Sequence, residues 1–265
     1  MGDSHINRFP GYAGVVIYTR NSTCAPIRAE EGITGILCPP NSSAPFRDLP
    51  EEQQIGGYPT LEQQSEFELD AATLDSEGRC VVLEFPAFVL IGTYCPANRG
   101  ESRDSFRQNY IEALDARVRN LTSMGKRVFV TGDLNISRGE IDSAHAAEAI
   151  RKGLTTEDEF VSVGVRRIFN QLLSGGKVLG ERDEGREIPA LHDICRAHHP
   201  DRKGMYTCWE QRINARPGNY GSRIDYVLCS LDMQDWFCDS NIQEGLLVSL
   251  PRFLRSQWML IIAGI

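Results

Sequence analysis

Three short segments place oxygen-rich or cationic side chains where an apolar core would not choose them. In Gly132-Asp133-Leu134-Asn135 the polar pair stands two residues apart, so in extended backbone Asp133 and Asn135 share a face. A carboxylate beside an amide oxygen suits a hard cation and the water it polarises. The same pair suits a turn that caps the next helix equally well. Thr93-Tyr94-Cys95-Pro96-Ala97-Asn98 follows an apolar run, and a phenol and an amide there can hold a phosphate oxygen; packing of an amphipathic ring explains the Tyr as well. The third segment carries Asn214-Ala215-Arg216 and then Asn219-Tyr220-Gly221-Ser222-Arg223-Ile224-Asp225-Tyr226. Arg223 and Asp225 share one face of an extended chain, opposite Ile224. A structural Arg–Asp ion pair accounts for them, as does a site that needs a carboxylate beside phosphate donors.

The elements that must hold these segments are legible from periodicity. GVVIYTR (14–20), RCVVLEF (79–85), FVLIGTY (88–94), KRVFVTGDLN (126–135), MYTCWEQ (205–211) and SRIDYVLCS (222–230) read as strands. The pair flanking Pro86 is expected to lie antiparallel. Phe106, Tyr110, Leu114, Val118 and Leu121 recur at helical steps, and Gly125 follows as a helix terminator. Further helices are expected over 141–152 and 157–174, with loops at 39–62 and 175–187. Strands that outnumber helices, in hairpins and crossovers, define an α/β (α+β) class with helices covering a β core.

A formal net charge of −8, from 28 basic and 36 acidic residues, argues weakly against a protein that coats nucleic acid indiscriminately. The charge is uneven. No Lys or Arg lies between Arg47 and Arg79, whereas 196–223 holds Arg196, Arg202, Lys203, Arg212, Arg216 and Arg223 against Asp201 and Glu210. A phosphate backbone prefers the second region, and a solvated face explains the same charges. DNA binding there is expected to be weak and salt-sensitive, and lost more on charge reversal of Arg216 and Arg223 than of Arg47 or Arg79. Eight scattered cysteines without a C-x-x-C fit reduced, buried thiols. His192, Cys195, His198 and His199 lack the second ligand pair of a zinc finger and read as a helix with polar edges. MGDSHINRFP lacks a secretory pattern, and WMLIIAGI is too short to span a bilayer, so no membrane partner is expected.

Taken together, GYAGVVIYTR, the TYCPAN strand end, GDLN and NAR…NYGSRIDYVL resemble the exonuclease III type of apurinic/apyrimidinic endonucleases, within the endonuclease/exonuclease/phosphatase superfamily. EEGITGIL, HP…GMYTCW and NYGSRIDYVL are most similar to the second eukaryotic kind, of fungi. The resemblance implies a four-layer αββα sandwich of two mixed β-sheets over 11–245, followed by an atypical tail, 246–265. It implies a Mg²⁺ cofactor, with Mn²⁺ as a substitute, held by Asp133 and Asn135. Catalytic roles fall to Tyr94, Asp133, Asn135 and Asp225, and DNA contacts to Asn98, Arg216, Arg223 and Tyr220, all converging on one face. The implied reaction is incision 5′ to an abasic site with trimming of 3′ ends, on double-stranded DNA bearing an abasic site or a blocked 3′ end. The implied compartment is the nucleus, with the mitochondrion as a second.

The family pattern also has an Asn-bearing strand, a Glu-bearing strand and a closing Ser-Asp-His, and none of these stands at its place in this chain. Nor does the segment by which the second kind engages a sliding clamp. Edge elements are thus expected to be missing at both ends, and the tail to be a translated intron or shifted frame. Losing two preorganised groups is expected to slow incision by about 10⁴ or more, with a non-catalytic, weakly DNA-binding product as the alternative reading.

Overall fold

The computed structural model describes residues 14–98, 100 and 103–242, which fall into two units, Met1–Val128 and Phe129–Ile265. The 246–265 tail and the Gly11 boundary lie outside the described residues.

In the first unit, strand β1 (Arg28–Glu31) precedes two short helices, α1 (Leu61–Ser65) and α2 (Ala71–Asp75). Thr60 and Asp70 cap them by accepting from the Gln63 and Thr73 amides, which satisfies first-turn donors. The apolar runs around Pro86 become β2 (Cys80–Glu84) and β3 (Val89–Tyr94), antiparallel with Cys80 opposite Thr93 and Glu84 opposite Val89. β1 adds to the other edge of β2, Arg28 opposite Glu84. Helix α3 (Asp104–Ser123) buries Tyr110, Leu114, Val118 and Leu121, and Gly125 follows at φ +77°. Tyr110 shares a 2.8 Å hydrogen bond with Thr93 Oγ1 and donates to the Arg79 carbonyl at 3.2 Å, which ties α3 to β2 and β3.

One expected strand is absent: residues 14–20 form no ladder. Their alternation still works as packing. A Cβ added to Gly92 would lie 2.9 Å from Ile17 Cδ1 and 3.4 Å from Val15 Cγ1, so the bare glycine makes room for those two side chains. Val16 and Tyr18, on the other face, are exposed.

In the second unit, β4 (Val128–Asp133, counted here from Phe129) pairs antiparallel with β8 (Asp225–Ser230), and β8 pairs antiparallel with β5 (Leu191–Asp193). Between β4 and β5 come α4 (Ala144–Arg151), α5 (Glu157–Ser162) and α6 (Gly164–Leu172). The helix expected over 157–174 breaks at Val163, whose extended ψ of 131° separates α5 from α6. Helix α7 (Ile194–His198) directly follows β5, capped by Asp193 accepting from the Arg196 amide. The strand expected over 205–211 contracts to β6 (Cys208–Trp209), paired with β7 (Gly221–Ser222).

The first unit encloses its charges as tightly as its apolar residues. Arg117 and Glu30 are both fully buried and paired at 2.6 Å. Glu30 also accepts from the Ile55 amide and the Tyr58 hydroxyl. Removing one member of such a pair leaves an uncompensated charge, at a cost of roughly 3–5 kcal/mol. Glu30→Ala is therefore expected to lower unfolding stability by about that much in urea titration; a loss below about 1 kcal/mol would mean the pair contributes no more than an exposed one.

Candidate active site and its relatives

Asp133 closes β4 and Asp225 opens β8, and the two stand directly opposite each other in the register. The Leu134 amide donates to the Ile224 carbonyl at 2.8 Å, so 134–224 is the bonded pair and 133–225 the neighbouring non-bonded one. Opposing Cα atoms at such positions are about 4.5 Å apart, with side chains closest. Two carboxylates so placed repel. Asp133 is 6% exposed.

The loop beyond Asp133 is held from several sides. Asp133 Oδ1 accepts from the Asn135 amide at 2.9 Å, and Asn135 sits at φ +52°, a left-handed turn that Asn tolerates better than most residues. The Tyr226 hydroxyl donates to the Ile136 carbonyl at 2.7 Å, and its ring meets Phe169 edge-on at 5.0 Å. From α6, Arg166 Nε donates to the Ser137 carbonyl and Asn170 Nδ2 to the Arg138 carbonyl. Both carbonyls following the metal-type motif are thus fixed by side chains from elsewhere in the unit.

Arg223 has a different place from the DNA-contacting one the sequence suggests. It is 1% exposed, and its guanidinium is shared between two carboxylates. Nε and Nη2 donate to Asp142 at 2.7 and 3.1 Å. Nη1 and Nη2 donate to Asp193 at 3.0 and 2.7 Å. Arg196 supports Asp142 at 2.6 Å and Arg138 supports Asp193 at 3.0 Å. Burial alone would raise the Asp193 pKa, but Arg223 and Arg138 outweigh it and hold it below the usual range. With four of its five N–H groups so engaged and 1% exposure, Arg223 is not a surface donor for a phosphate. The expected ion pair exists, but its partners are Asp142 and Asp193 rather than Asp225. Comparison of Arg216 and Arg223 with Arg47 and Arg79 as surface charges fails for the same reason, because Arg79 too is buried, 3% exposed.

The strand expected over 222–230 is interrupted by these bonds. The Arg223 amide donates to the Asp142 carbonyl, and those of Ile224 and Asp225 to Thr207 Oγ1 at 3.1 and 3.2 Å. Asp225 is half-buried, and its pKa rises to about 6, through desolvation, with a hydrogen bond from Thr207 opposing.

The other expected site residues divide by unit. Tyr94 ends β3 in the first unit with the Arg79 guanidinium 5.1 Å from its ring centre. Asn98 is exposed there, accepting from the Gly100 amide at 3.2 Å. In the second unit, the Arg216 guanidinium lies 4.7 Å from the Trp209 ring centre, and Tyr220 donates to Glu148 at 2.7 Å. The structure therefore brings Asp133, Asn135 and Asp225 together, and sets Arg216 and Tyr220 on one turn, where the Tyr220 amide meets the Ala215 carbonyl. Thr207, Asp142 and Asp193 were missed as site-shaping residues. The signal for the last two was an Asp beside short apolar runs, GEIDS and ALHDI.

Two carboxylates, one of them buried, thus stand opposed at one strand end with an amide side chain in the turn beyond, an oxygen-rich set of the kind suited to a hard cation. Residues 2–246 match the Endonuclease/Exonuclease/phosphatase family, and the chain belongs to that family, with its α/β fold. Within it, the chain is 37% identical over 243 residues to DNA-(apurinic or apyrimidinic site) endonuclease 2 of Schizosaccharomyces pombe, covering 90% of this chain and 42% of that protein. It is 37% identical over 231 residues to the Saccharomyces cerevisiae protein of the same name, 78% of this chain and 44% of that one. The Xenopus laevis APE2 catalytic domain superposes with a TM-score of 0.60 at 27% identity, over 81% of this chain and 60% of that one. The chain spans less than half the length of the fungal proteins it matches.

Asp225 gives the site a pH signature. Its folded pKa of about 6 exceeds the ordinary value of about 3.9, so the unfolded chain releases this proton first. Stability from this group is therefore full below about pH 4, falls as pH rises, and levels above about pH 6. In chelator-treated protein, Asp225→Asn is expected to stabilise by up to roughly 3 kcal/mol at pH 8 and by little at pH 4, read from urea unfolding. Equal effects at both pH values would contradict a desolvated, reluctantly ionised carboxyl.

Proposed function

We propose that the chain is a Mg²⁺-dependent DNA phosphodiesterase that incises 5′ to abasic sites and trims 3′ ends, acting in the nucleus. The observation that carries this reading is the direct opposition of Asp133 and Asp225 with Asn135 turned beside them. Among the described residues no group of three or more His, Cys, Asp and Glu is arranged around a metal. Mg²⁺ does not require one, since it keeps several waters and takes one or two carboxylates. An all-oxygen donor set fits it, and the residues that would hold it are Asp133 and Asn135. Bound there, the cation would supply positive charge to the target phosphate and acidify water.

The chain's own groups supply the rest. Asp133 orients the attacking water by accepting its proton, and the Asn135 amide donates to charge that develops on phosphorus-bound oxygen. Asp225, desolvated and titrating at about 6, holds a proton to higher pH than an ordinary carboxyl and is the group we assign to meet the departing oxygen. Arg216 and Tyr220 contact the DNA from their shared turn. Tyr94 and Asn98 are the phosphate-contacting residues we assign in the first unit. What supports DNA as substrate, with an abasic site or a blocked 3′ end, is the family membership and the names of the fungal relatives.

The test is incision of an abasic-site duplex by purified chain in Mg²⁺. Slow incision is expected, abolished by chelator and reduced about 10²–10³-fold in Asp133→Asn. Incision that survives chelation, or is undiminished in Asp133→Asn, would overturn the assignment. Duplex binding without any cleavage would favour the non-catalytic alternative.

A further inference from the structure

Away from the carboxylate pair, a cavity of about 610 Å³ opens beside α4, within the range of roughly 300–1,000 Å³ usual for small-molecule sites. Ala144 and Ala147, on one face of the helix, border it without side-chain bulk. Tyr206, 8% exposed, and Tyr220, 39% exposed, supply its aromatic walls. Tyr220 is not a loose ring. Its hydroxyl donates to Glu148 Oε2 at 2.7 Å and lies 3.4 Å from His145 Nδ1.

The charges lining the cavity are unequal in what they have left to offer. Glu148 is committed, to Tyr220 and to Lys152 at 2.6 Å, and those bonds bring its pKa down to about 2. Arg151 and Lys203 line the same cavity. Among the described residues neither makes an ion pair, although Arg151 adds to the field on Glu148. Two available cations match a phosphate monoester, which carries close to two negative charges near neutral pH. A backbone diester carries one, and a duplex laid across the opening would bring its polyanion against Glu140, which also lines it. Flat aromatic walls take a nucleobase through its face, and the Glu140 carboxylate can accept from a base amino or sugar hydroxyl.

We propose that this cavity binds a nucleotide bearing a terminal phosphate monoester, its base against Tyr206 and Tyr220 and its phosphate on Arg151 and Lys203. Such a group comes either as a free mononucleotide or as the phosphorylated end of a DNA strand. This site shares Tyr220 with the proposed DNA contact but does not depend on Asp133 or Asp225.

The experiment is calorimetric titration of the whole chain with dAMP and with deoxyadenosine. The dAMP is expected to bind at least tenfold more tightly than deoxyadenosine. Arg151→Glu and Lys203→Glu, with unchanged far-UV circular dichroism, are each expected to weaken dAMP binding about tenfold or more. Arg151→Gln, a milder change, is expected to weaken it in the same direction. Asp133→Asn is expected to bind dAMP undiminished even where it no longer incises DNA, which separates failure of this site from failure of the hydrolytic reading. Competition by a duplex with a terminal phosphate, and not by the same duplex without one, would identify the strand end as the source; competition by neither would identify the free nucleotide. Equal binding of dAMP and deoxyadenosine, undiminished binding in the Arg151 and Lys203 variants, or loss of binding in Asp133→Asn would overturn the proposal.

Discussion

The second unit turns on one guanidinium. Arg223 gathers Asp142, from the loop before α4, and Asp193, from the end of β5, around a segment that leads directly into β8. Arg196 and Arg138 complete the set, so three cations and two carboxylates share a nearly dry volume. Burying so much charge is costly, and well-packed apolar residues would do no worse for stability. What the network provides is direction. A guanidinium has a fixed planar fork, and two bidentate partners on different elements leave it one orientation. The same residue's amide is held by the Asp142 carbonyl, so both backbone and side chain of Arg223 are fixed two positions before Asp225.

That fixation is what allows a repulsive arrangement to persist. Asp133 and Asp225 face each other at a non-bonded ladder position, where like charges disfavour pairing. An apolar pair there would make a better sheet. The sequence instead spends ladder quality on a place where negative charge and oxygen lone pairs concentrate. Thr207 takes over the two amides that β4 cannot satisfy there, and Tyr226 anchors the loop beyond Asp133 through the Ile136 carbonyl. Neither neighbour neutralises the carboxylates. Desolvation answers for one of them, by holding a proton on Asp225 to higher pH.

How much of this was legible depended on whether a residue's partner was local. The β2–β3 hairpin and α3 were written in period-two and period-3.6 patterns whose partners lie nearby in sequence, and both formed as expected. Asp133 and Asn135 announced themselves as polar residues closing an apolar strand. Residues 14–20 carry the same alternation as a strand, but alternation reports which side chains are covered and says nothing of hydrogen bonding; Val15 and Ile17 pack on Gly92 without a ladder. Arg223 misled for a related reason. A basic residue in a basic stretch reads as surface, and only the arrival of Asp142 and Asp193, 81 and 30 residues away, makes it interior. The break between β7 and β8 has the same origin, since the acceptors that draw those amides off the ladder lie in distant segments.

The central claim is that the buried Arg223 network fixes the strand end at which Asp133 and Asn135 would hold a cation opposite Asp225. The most direct measurement is calorimetric titration of Mn²⁺, standing in for Mg²⁺, into the unsubstituted chain and into Arg223→Met, at a temperature where circular dichroism shows both folded. The account predicts one ion bound by the unsubstituted chain and affinity about tenfold or more weaker in Arg223→Met, although Arg223 itself offers the ion no ligand. Equal affinity in the two chains would contradict it.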